Sequence, residues 1–196
     1  MKAPFDFVIE PKGNRYNNTK KVGDKDLIIN TEIYNHQFVN REAIVKSVPT
    51  AFETEIKPGD IVITHHNVFR RWHNQYGIEK NSRSYFNENT YLIKLDQIFL
   101  YKRNNKWKAP KGYCFVQPIK DTNHLTGDIE KPHIGIVIYT DGSFKKDELV
   151  GFQPKTTCEQ LVNGVRLYRV MNKFITIKYG YQRNEKEYNP SWTQSG

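Results

Sequence analysis

The chain has little cysteine and no long apolar run, and each absence excludes a class of protein. Only Cys114 and Cys158 occur in 196 residues, without a CxxC pair, so a disulfide scaffold is excluded and a reducing compartment is expected, although one bridge stays open. No apolar stretch approaches the length of a membrane span, and the first residues lack the apolar segment of a signal peptide. We therefore expect a cytoplasmic protein that makes no use of a membrane.

Signatures of catalysis are missing as well. The chain contains no phosphate-binding glycine loop, no G-x-G-x-x-G motif and no serine–histidine–aspartate arrangement, and no pair of carboxylates stands out. Four histidines, His36, His65, His66 and His73, match no standard zinc spacing and have no cysteine nearby. We predict a protein that is not an enzyme and has no metal or cofactor, with these histidines at its surface or at an interface.

Helical periodicity is absent too, because in no window of about 15 residues do apolar side chains repeat roughly every 3.6 positions between capping residues. Short runs of β-branched and aromatic residues recur instead, separated by turn residues. In the first half of the chain they occupy residues 5–9, 43–48, 56–63, 90–94 and 97–101. Many short strands and turns predict an all-β fold built from small barrels.

The same order of runs recurs in the second half, at residues 112–119, 133–138, 147–152, 164–170 and 174–177. A tandem duplication explains this repetition and predicts two domains, at 1–102 and 112–180. Residues 103–111 between them are rich in asparagine, lysine and proline, which is typical of a linker. The polar end of the chain, 181–196, is predicted to be a flexible tail or a docking strap that contains Trp192.

The chain carries a net charge of +9 and has a pI near 9.4, which attracts nucleic acid or other acidic surfaces. Its lysines and arginines are scattered rather than grouped in a block, so we favour an ordinary solvated surface. Residues 65–87 mix arginines with aromatic residues, as proteins that bind single-stranded nucleic acid do. We favour a long hairpin used in subunit contact, because protein interfaces are enriched in the same residues, and nucleic-acid binding stays the alternative.

A polar segment, 11–26, lies between the first two predicted strands and is followed directly by Leu27, Ile28 and Ile29. Its only bulky apolar or aromatic residues are Tyr16 and Val22, too little apolar surface to offset the entropy of ordering it. Long loops without structure are usually functional or disordered. We expect a mobile arm whose triplet binds an external apolar groove, with an ordinary edge strand as the alternative.

The second copy has no such triplet. Between its first two predicted strands the segment is shorter, and its aliphatic residues Leu125 and Ile129 are isolated from each other. We therefore expect one arm in each chain rather than two.

The order of these motifs resembles GroES, the chaperonin-10 co-chaperonin family. Residues 57–63, with the sequence KPGDIVI, are similar to its K-x-GD-x-V segment, and residues 88–100 are similar to its closing strands. Residues 23–31, which contain the triplet, resemble the tip of its mobile loop, above all that of phage-encoded members. The resemblance implies two tandem GroES-like barrels, with a mobile loop at about 11–32 in the first and with Gly13 and Gly23 as the loop hinges.

The same resemblance implies a function and a partner. It implies a homo-oligomeric lid that binds the apical rim of a GroEL-type chaperonin through Leu27, Ile28 and Ile29 and encloses folding clients, while the partner binds ATP. Abundant asparagine and lysine suggest a phage gene and hence the host cytoplasm. Two alternatives stay open. One is a ring or decoration protein of a virion that uses the barrels for assembly, and the other is a basic barrel that binds nucleic acid.

Overall fold

The computed structural model describes residues 1–17, 19–28, 35, 38–121, 129–181 and 185–190. This part of the chain is all-β, as the sequence predicts, and the chain divides into two compact units, Met1–Lys106 and Trp107–Gly196. The 3-10 turns Leu95–Gln97 and Asn172–Phe174 each lie between two strands. Among the described residues no helix has the length and the apolar character that crossing a membrane requires.

Seventeen strands follow one another in the described part of the chain. They are β1 (Phe7–Pro11), β2 (Thr19–Val22), β3 (Lys25–Ile28), β4 (Glu42–Ser47), β5 (Ile61–Thr64), β6 (Arg71–His73), β7 (Glu79–Asn81), β8 (Tyr85–Asn87), β9 (Thr90–Ile93), β10 (Ile98–Arg103), β11 (Lys106–Lys108), β12 (Tyr113–Lys120), β13 (Glu130–Thr140), β14 (Leu149–Phe152), β15 (Thr157–Val162), β16 (Val165–Met171) and β17 (Ile175–Gly180). Two large sheets and the two-stranded hairpins β2–β3 and β6–β7 account for all of these strands.

The two large sheets share one strand order. The first reads β8-β9-β1-β4-β5-β10, with β11 added beyond β10, and the second reads β15-β16-β12-β13-β14-β17. Strands that hold the same place in the two sheets also follow one another in the same order along the chain. This agreement is what a tandem duplication predicts.

Irregularities fall at matching places in the two sheets. The register of β1 against β4 shifts between Val8 and Ile9, and the register of β12 against β13 shifts between Phe115 and Val116. Both β10 and β17 follow a 3-10 turn, and each is irregular against its neighbour, β5 or β14. Such bulges kink a strand and increase its twist, so each sheet curves over its own core.

The Pro-Gly turn before β5 has a counterpart before β14. In both turns, 57–60 and 145–148, the third residue has a left-handed backbone, with φ of 90° at Gly59 and 64° at Asp147. The carboxylate of the fourth residue accepts a hydrogen bond from the backbone N–H of the first, at 2.8 Å and 3.1 Å respectively. The two copies therefore build the same turn from different residues.

Neither large sheet closes into a barrel within the described residues, which differs from the expectation of small barrels. The edge strands are β8 and β11 in the first sheet and β15 and β17 in the second, and each pairs on one side only. A closed barrel needs hydrogen bonds between the two edges of its sheet. The bulges curve both sheets without bringing those edges into a ladder.

Each unit has its own hydrophobic core, formed by its central strands. In the first unit Phe7 and Ile9 of β1 pack with Val45 of β4, and all three are buried. In the second unit Val116 of β12 and Val137 of β13 belong to the core. Burial alternates along β4, whereas β12 is buried continuously from 114 to 119, and both kinds of strand leave a short apolar pattern in the sequence.

Residues 103–111, which the sequence predicts to be a linker, instead contain a hairpin. Asn104 and Asn105, with φ of 48° and 62°, form the two-residue turn between β10 and β11. Two consecutive positive φ values are the pattern of a type I′ turn, which matches the twist of a hairpin and which asparagine tolerates. Ala109, just after β11, is fully buried.

The predicted tail, 181–196, is docked on the second sheet where it is described. Lys120 donates its backbone N–H to the carbonyl oxygen of Lys186 at 2.7 Å, and Tyr188 donates to that of Pro118 at 2.9 Å. This end of β12 is free to accept the tail because its pairing with β16 stops at Val116. Residues 185–190 thus form a docking strap, and Trp192 lies outside the described residues.

The two cysteines have opposite environments and form no disulfide with each other. Cys114 is buried in β12 and Cys158 is exposed in β15. Burial raises the pKa of the Cys114 thiol to about 12, so at neutral pH it lacks the thiolate that alkylating reagents attack. We expect iodoacetamide to modify the native chain at Cys158 alone and the unfolded chain at both, as counted by mass spectrometry. Rapid modification of Cys114 in the native protein would contradict this packing.

Gly135 in β13 occupies a position where a side chain has no room. A Cβ there would come within 2.4 Å of the Gln117 carbonyl oxygen and 2.6 Å of a Val116 methyl group. Gly135→Ala is therefore expected to lower the free energy of unfolding by about 1–3 kcal/mol, measured by urea denaturation. Gly151→Ala in β14 is the matched control, because its Cβ would meet nothing closer than 3.4 Å. Equal losses in the two variants would refute the steric explanation.

Candidate functional site

The segment that carries the aliphatic triplet forms a hairpin outside both large sheets. β2 and β3 pair antiparallel over four residues each. Gly23, with φ of 61°, begins the two-residue turn, and Asp24 follows without a positive φ. This combination of signs is that of a type II′ turn, which suits the twist of a hairpin. Lys21 lies opposite Asp26, so an opposite-charge pair adds to the pairing.

Leu27 and Ile28 are exposed at the end of this hairpin opposite its turn, with 51% and 64% of their surfaces accessible. Leu27 lies opposite Lys20 and Ile28 opposite Thr19, and successive residues of a strand point to opposite faces. The two aliphatic side chains therefore lie on opposite faces of the hairpin. Val22, also exposed, shares the face of Leu27.

The expected unstructured loop, about 11–32, is thus ordered in part, and that expectation was wrong for the hairpin. The segment is poor in apolar residues, but a two-residue turn and cross-strand pairing order it locally, which composition does not reveal. Leu27 and Ile28 are also not in an edge strand of the large sheet, because within the described residues β3 pairs with β2 and with no other strand. Ile29, the third residue of the triplet, lies outside the described residues.

The residues just before the hairpin are anchored on the first unit by Tyr16. Its ring is buried, it forms a β-bridge with Val39, and its hydroxyl accepts a hydrogen bond from the backbone N–H of Arg71 at 2.8 Å. The Arg71 guanidinium lies 5.0 Å from the centre of the Tyr16 ring, within the range of a cation–π contact. A residue that sequence analysis placed in a segment unable to pack is therefore part of the core.

Asn40 forms hydrogen bonds at both ends of the connection between β1 and β4, which contains the hairpin. Its buried side-chain amide donates hydrogen bonds to the carbonyl oxygens of Lys12 at 3.1 Å and Asn14 at 2.8 Å. Its side-chain oxygen accepts a hydrogen bond from the backbone N–H of Glu42 at 2.9 Å. Because the chain leaves β1 at Lys12 and enters β4 at Glu42, one asparagine holds both ends.

Arg15 completes the root of the hairpin. Its guanidinium lies 5.4 Å from the ring centre of Tyr85 and 5.5 Å from that of Tyr91, and it donates a hydrogen bond to the Phe69 carbonyl oxygen at 3.1 Å. Burial raises the pKa of Tyr91 to about 12, so this phenol stays neutral at physiological pH. The root is therefore a packed structure from which an exposed hairpin projects.

The two glycines that the resemblance suggests as hinges lie at different places. Gly13, with φ of 88°, lies at the start of the root, whereas Gly23 lies in the turn at the far end of the hairpin. Neither has a neighbour that a Cβ would touch, so backbone conformation rather than space favours glycine there. A rotation at Gly23 leaves the attachment of the hairpin unchanged, and a hinge role stays a hypothesis for Gly13.

Two of the four histidines considered above, His65 and His66, take part in aromatic packing. The rings of His65 and His66 stack with their centres 4.2 Å apart, and Phe99 meets His65 edge-on at 5.6 Å. Among the described residues, no group of three or more His, Cys, Asp or Glu side chains is placed to hold a metal ion. His73 ends β6, and His36 lies outside the described residues.

A groove beside the β6–β7 hairpin is a second candidate site in the first unit. It brings together Arg70, Trp72 and Arg83 from the stretch that mixes arginines with aromatic residues, and it adds Gln97. Sequence analysis singled out the stretch 65–87 but missed Gln97, which comes from the 3-10 turn before β10. No local pattern points to Gln97, because only the fold brings it near the hairpin.

Comparisons with known proteins gave no match. No protein-family model matches the chain, and neither a search of curated proteins nor a search of solved structures found a similar protein. The geometry of the hairpin and of the groove therefore carries the functional argument.

Proposed function

We propose that this protein is a co-chaperonin, a homo-oligomeric lid that binds the apical rim of a GroEL-type chaperonin and encloses folding clients while the partner binds ATP. The observation that carries the proposal is the β2–β3 hairpin, which is exposed along its length and ends in Leu27 and Ile28. The hairpin leaves the first sheet between β1 and β4, which pair with each other. The mobile loop of the GroES family occupies the same place in the order of strands.

The two sheets are, in this proposal, diverged GroES-like domains. Their common strand order and their matching bulges support a shared origin. Both sheets have free edges, and unpaired edge strands are templates for pairing with another chain. Ile177 and Tyr179 on the edge strand β17 are exposed apolar side chains, which supports assembly of several copies into a ring.

The energetics favour weak binding by each arm and strong binding by a ring. Burying an aliphatic side chain contributes roughly 1.5–3 kcal/mol, and Leu27 and Ile28 are both exposed before binding. A hairpin that is already formed loses less conformational entropy on binding than an unstructured loop does. One arm still binds weakly, but several arms that engage a ring of grooves gain avidity and each stays releasable.

The geometry also constrains the groove on the partner. Leu27 and Ile28 lie on opposite faces of β3, so a flat apolar surface buries only one of them. A groove that buries both has to contact β3 from both faces of the hairpin, at the end opposite the turn. This favours a cleft between two elements of the chaperonin rim.

A single arm per chain is part of the proposal. In the second unit β12 and β13 pair with each other, with Lys120 opposite Glu130 at the end of the ladder. The residues between them lack an aliphatic triplet, and residues 122–128 lie outside the described residues. The second unit then contributes to the lid and to assembly rather than to chaperonin contact.

Pull-down with a purified GroEL-type chaperonin, with and without ATP, tests the proposal. We expect capture that depends on nucleotide and a change in the rate of chaperonin ATP hydrolysis. Bovine serum albumin in place of the chaperonin controls for non-specific adsorption. Absence of capture under both conditions would contradict the proposal, and copurification with phage particles in that case would favour the structural virion protein.

A further inference from the structure

A groove of about 500 Å³ lies beside the β6–β7 hairpin of the first unit. Its volume is within the range of ligand sites in proteins. The residues that line it are Asn67, Arg70, Trp72, Ser82, Arg83, Ser84 and Gln97. None of them is acidic, and all of them carry hydrogen-bonding side chains of neutral or positive charge. The groove is therefore suited to an anionic ligand.

Arg70 and Arg83 are the cations of the groove, and neither has an ion pair or a ring contact among the described residues. The neighbouring Arg71, by contrast, forms a salt bridge with Glu79 at 3.2 Å. The Nε of Arg70 is buried and has no hydrogen-bond partner. A buried donor without a partner is unfavourable, and an anion in the groove would supply an acceptor for it.

Trp72 provides a flat apolar surface next to these charges. It lies on β6 opposite Lys80 of β7, and 36% of its surface is exposed. Its indole makes no ring contact with another described residue. An exposed indole beside a guanidinium is a platform on which a planar ring can stack.

The floor of the groove is held in place by hydrogen bonds. Ser82 donates its hydroxyl to the Val68 carbonyl oxygen, and the Gln97 amide donates to the Ser84 hydroxyl at 3.2 Å. The Gln97 side-chain oxygen accepts a hydrogen bond from the backbone N–H of Lys94 at 3.0 Å. These bonds leave the Ser84 hydroxyl proton available to a ligand. A preformed floor lowers the entropy that binding has to offset.

We propose that this groove binds single-stranded nucleic acid, with a phosphate held by Arg70 and Arg83 and a base stacked on Trp72. Two unpaired guanidinium groups match the phosphate, and the indole matches a base that is not stacked in a duplex. The net charge of +9 attracts a polyanion over a longer distance. The proposal is independent of the co-chaperonin function, because the groove and the β2–β3 hairpin share no residue.

A subunit contact is the competing use of the same residues. An interface between copies would require a partner surface that neutralises Arg70 and Arg83, and each copy exposes the same cations. A two-fold contact of the groove with itself would place these cations against the same cations, because none of the lining residues is acidic. The charge of the groove therefore favours a polyanion over such a contact, and the oligomeric state of the variants tests a head-to-tail contact with another surface of the chain.

Titration of the whole protein with an oligouridylate of about 12 nucleotides tests the proposal, since single-strand sites span roughly 4–16 nucleotides. Stacking of uracil on Trp72 is expected to quench the tryptophan fluorescence, and the affinity should fall steeply between roughly 50 and 200 mM salt. Uridine monophosphate and a duplex of the same length are titrated in parallel. Tighter binding of the single strand than of either comparison ligand supports the proposal.

Two substitutions assign the binding to the groove. Arg83→Ala removes an exposed cation without a partner and should flatten the dependence of log affinity on log salt by about 0.7. Trp72→Phe should abolish the quenching but keep part of the affinity, and Trp72→Ala should weaken binding by roughly fivefold or more. Lys146→Ala in the second unit is the charge-matched control, because it removes one exposed cation far from the groove along the chain, and it should change the affinity little.

Four outcomes would overturn the proposal. The first is no binding of the oligonucleotide at low salt, and the second is binding that Arg83→Ala and Trp72→Ala leave unchanged. The third is equal affinity for uridine monophosphate, which would make the ligand a free nucleotide. The fourth is a change of oligomeric state in the Trp72 and Arg83 variants without a change in affinity, which would make the groove a subunit contact.

Discussion

Ile28→Asp is expected to abolish capture by a GroEL-type chaperonin in the presence of ATP while folding and assembly stay intact. Ile28 is 64% exposed on a hairpin that packs in neither large sheet, so a carboxylate at this position stays hydrated in the free protein. In the bound state the variant loses roughly 1.5–3 kcal/mol of apolar burial. It must also bury a charge without a partner, which costs several kcal/mol more. Each arm is then weakened by roughly 1,000-fold, and the avidity of a ring multiplies the loss.

Val22→Asp is the matched control for this substitution. Val22 is an exposed aliphatic residue on the same hairpin, near its turn, and it is not part of the triplet. If the chaperonin captures the Val22→Asp variant but not the Ile28→Asp variant, the contact lies at the end of the hairpin opposite its turn. Unchanged capture of the Ile28→Asp protein, with circular dichroism and oligomeric state equal to those of the wild type, would be incompatible with the proposed contact.

Arg166→Met is expected to lower the free energy of unfolding of the second unit by about 3–5 kcal/mol. The Arg166 side chain is only 9% exposed, and its guanidinium lies 3.0 Å from the carboxylate of Glu159 and 2.8 Å from that of Glu130. The Tyr168 hydroxyl donates a hydrogen bond to Glu130 at 3.1 Å. Burial and this hydrogen bond raise the pKa of Tyr168, so the phenol stays neutral. Methionine keeps the apolar length of the side chain but removes the cation that compensates two desolvated carboxylates.

Hydrogen–deuterium exchange in β12 and β16 under increasing urea measures this loss in the second unit. A triple variant that adds Glu130→Gln and Glu159→Gln should recover part of the stability, because removing a whole buried ion pair costs less than removing one partner. Lys46→Met, at the ion pair of Lys46 with Glu10 whose side chains are 51% and 33% exposed, should cost about 1 kcal/mol or less. A triple variant no more stable than Arg166→Met would indicate that packing, and not charge compensation, determines the loss.

The strands of both cores could be predicted from the sequence because each is a local pattern. The alternation in the runs 5–9 and 43–48 corresponds to β1 and β4, and the run 112–119 corresponds to β12, with ends that differ by a few residues. A strand that packs on a core needs apolar residues, either at alternate positions as in β4 or in a short run as in β12, and either pattern is visible in a short window.

Strands outside the cores were missed for a physical reason. β2 contains Thr19 and three further exposed residues, and β15 lies at a sheet edge with a mixed sequence. β2 is ordered by its turn and by pairing with β3 rather than by burial, and of the two buried residues of β15, Gln160 and Val162, one is polar, so neither strand shows an apolar period in the sequence. The hairpin at Asn104 was missed because the same residues also suit a linker.

The candidate site was found in part. The triplet could be recognised because three aliphatic residues end a polar segment, and two of them, Leu27 and Ile28, are exposed. Three other features depend on contacts between residues that are far apart in the chain. They are the placement of Leu27 and Ile28 on opposite faces, the burial of Tyr16, and the hydrogen bonds of Asn40 to the ends of the connection. The groove depends on Gln97 in the same way.

Local chemistry in the chain is thus sufficient for the all-β class, for the recurrence of one order of strands and for the position of the aliphatic triplet, since all three are patterns of neighbouring residues. The pairing order, the open edges of both sheets and the orientation of Leu27 against Ile28 became known only with the fold. These features depend on which strands meet across long stretches of chain, and no single segment contains that information.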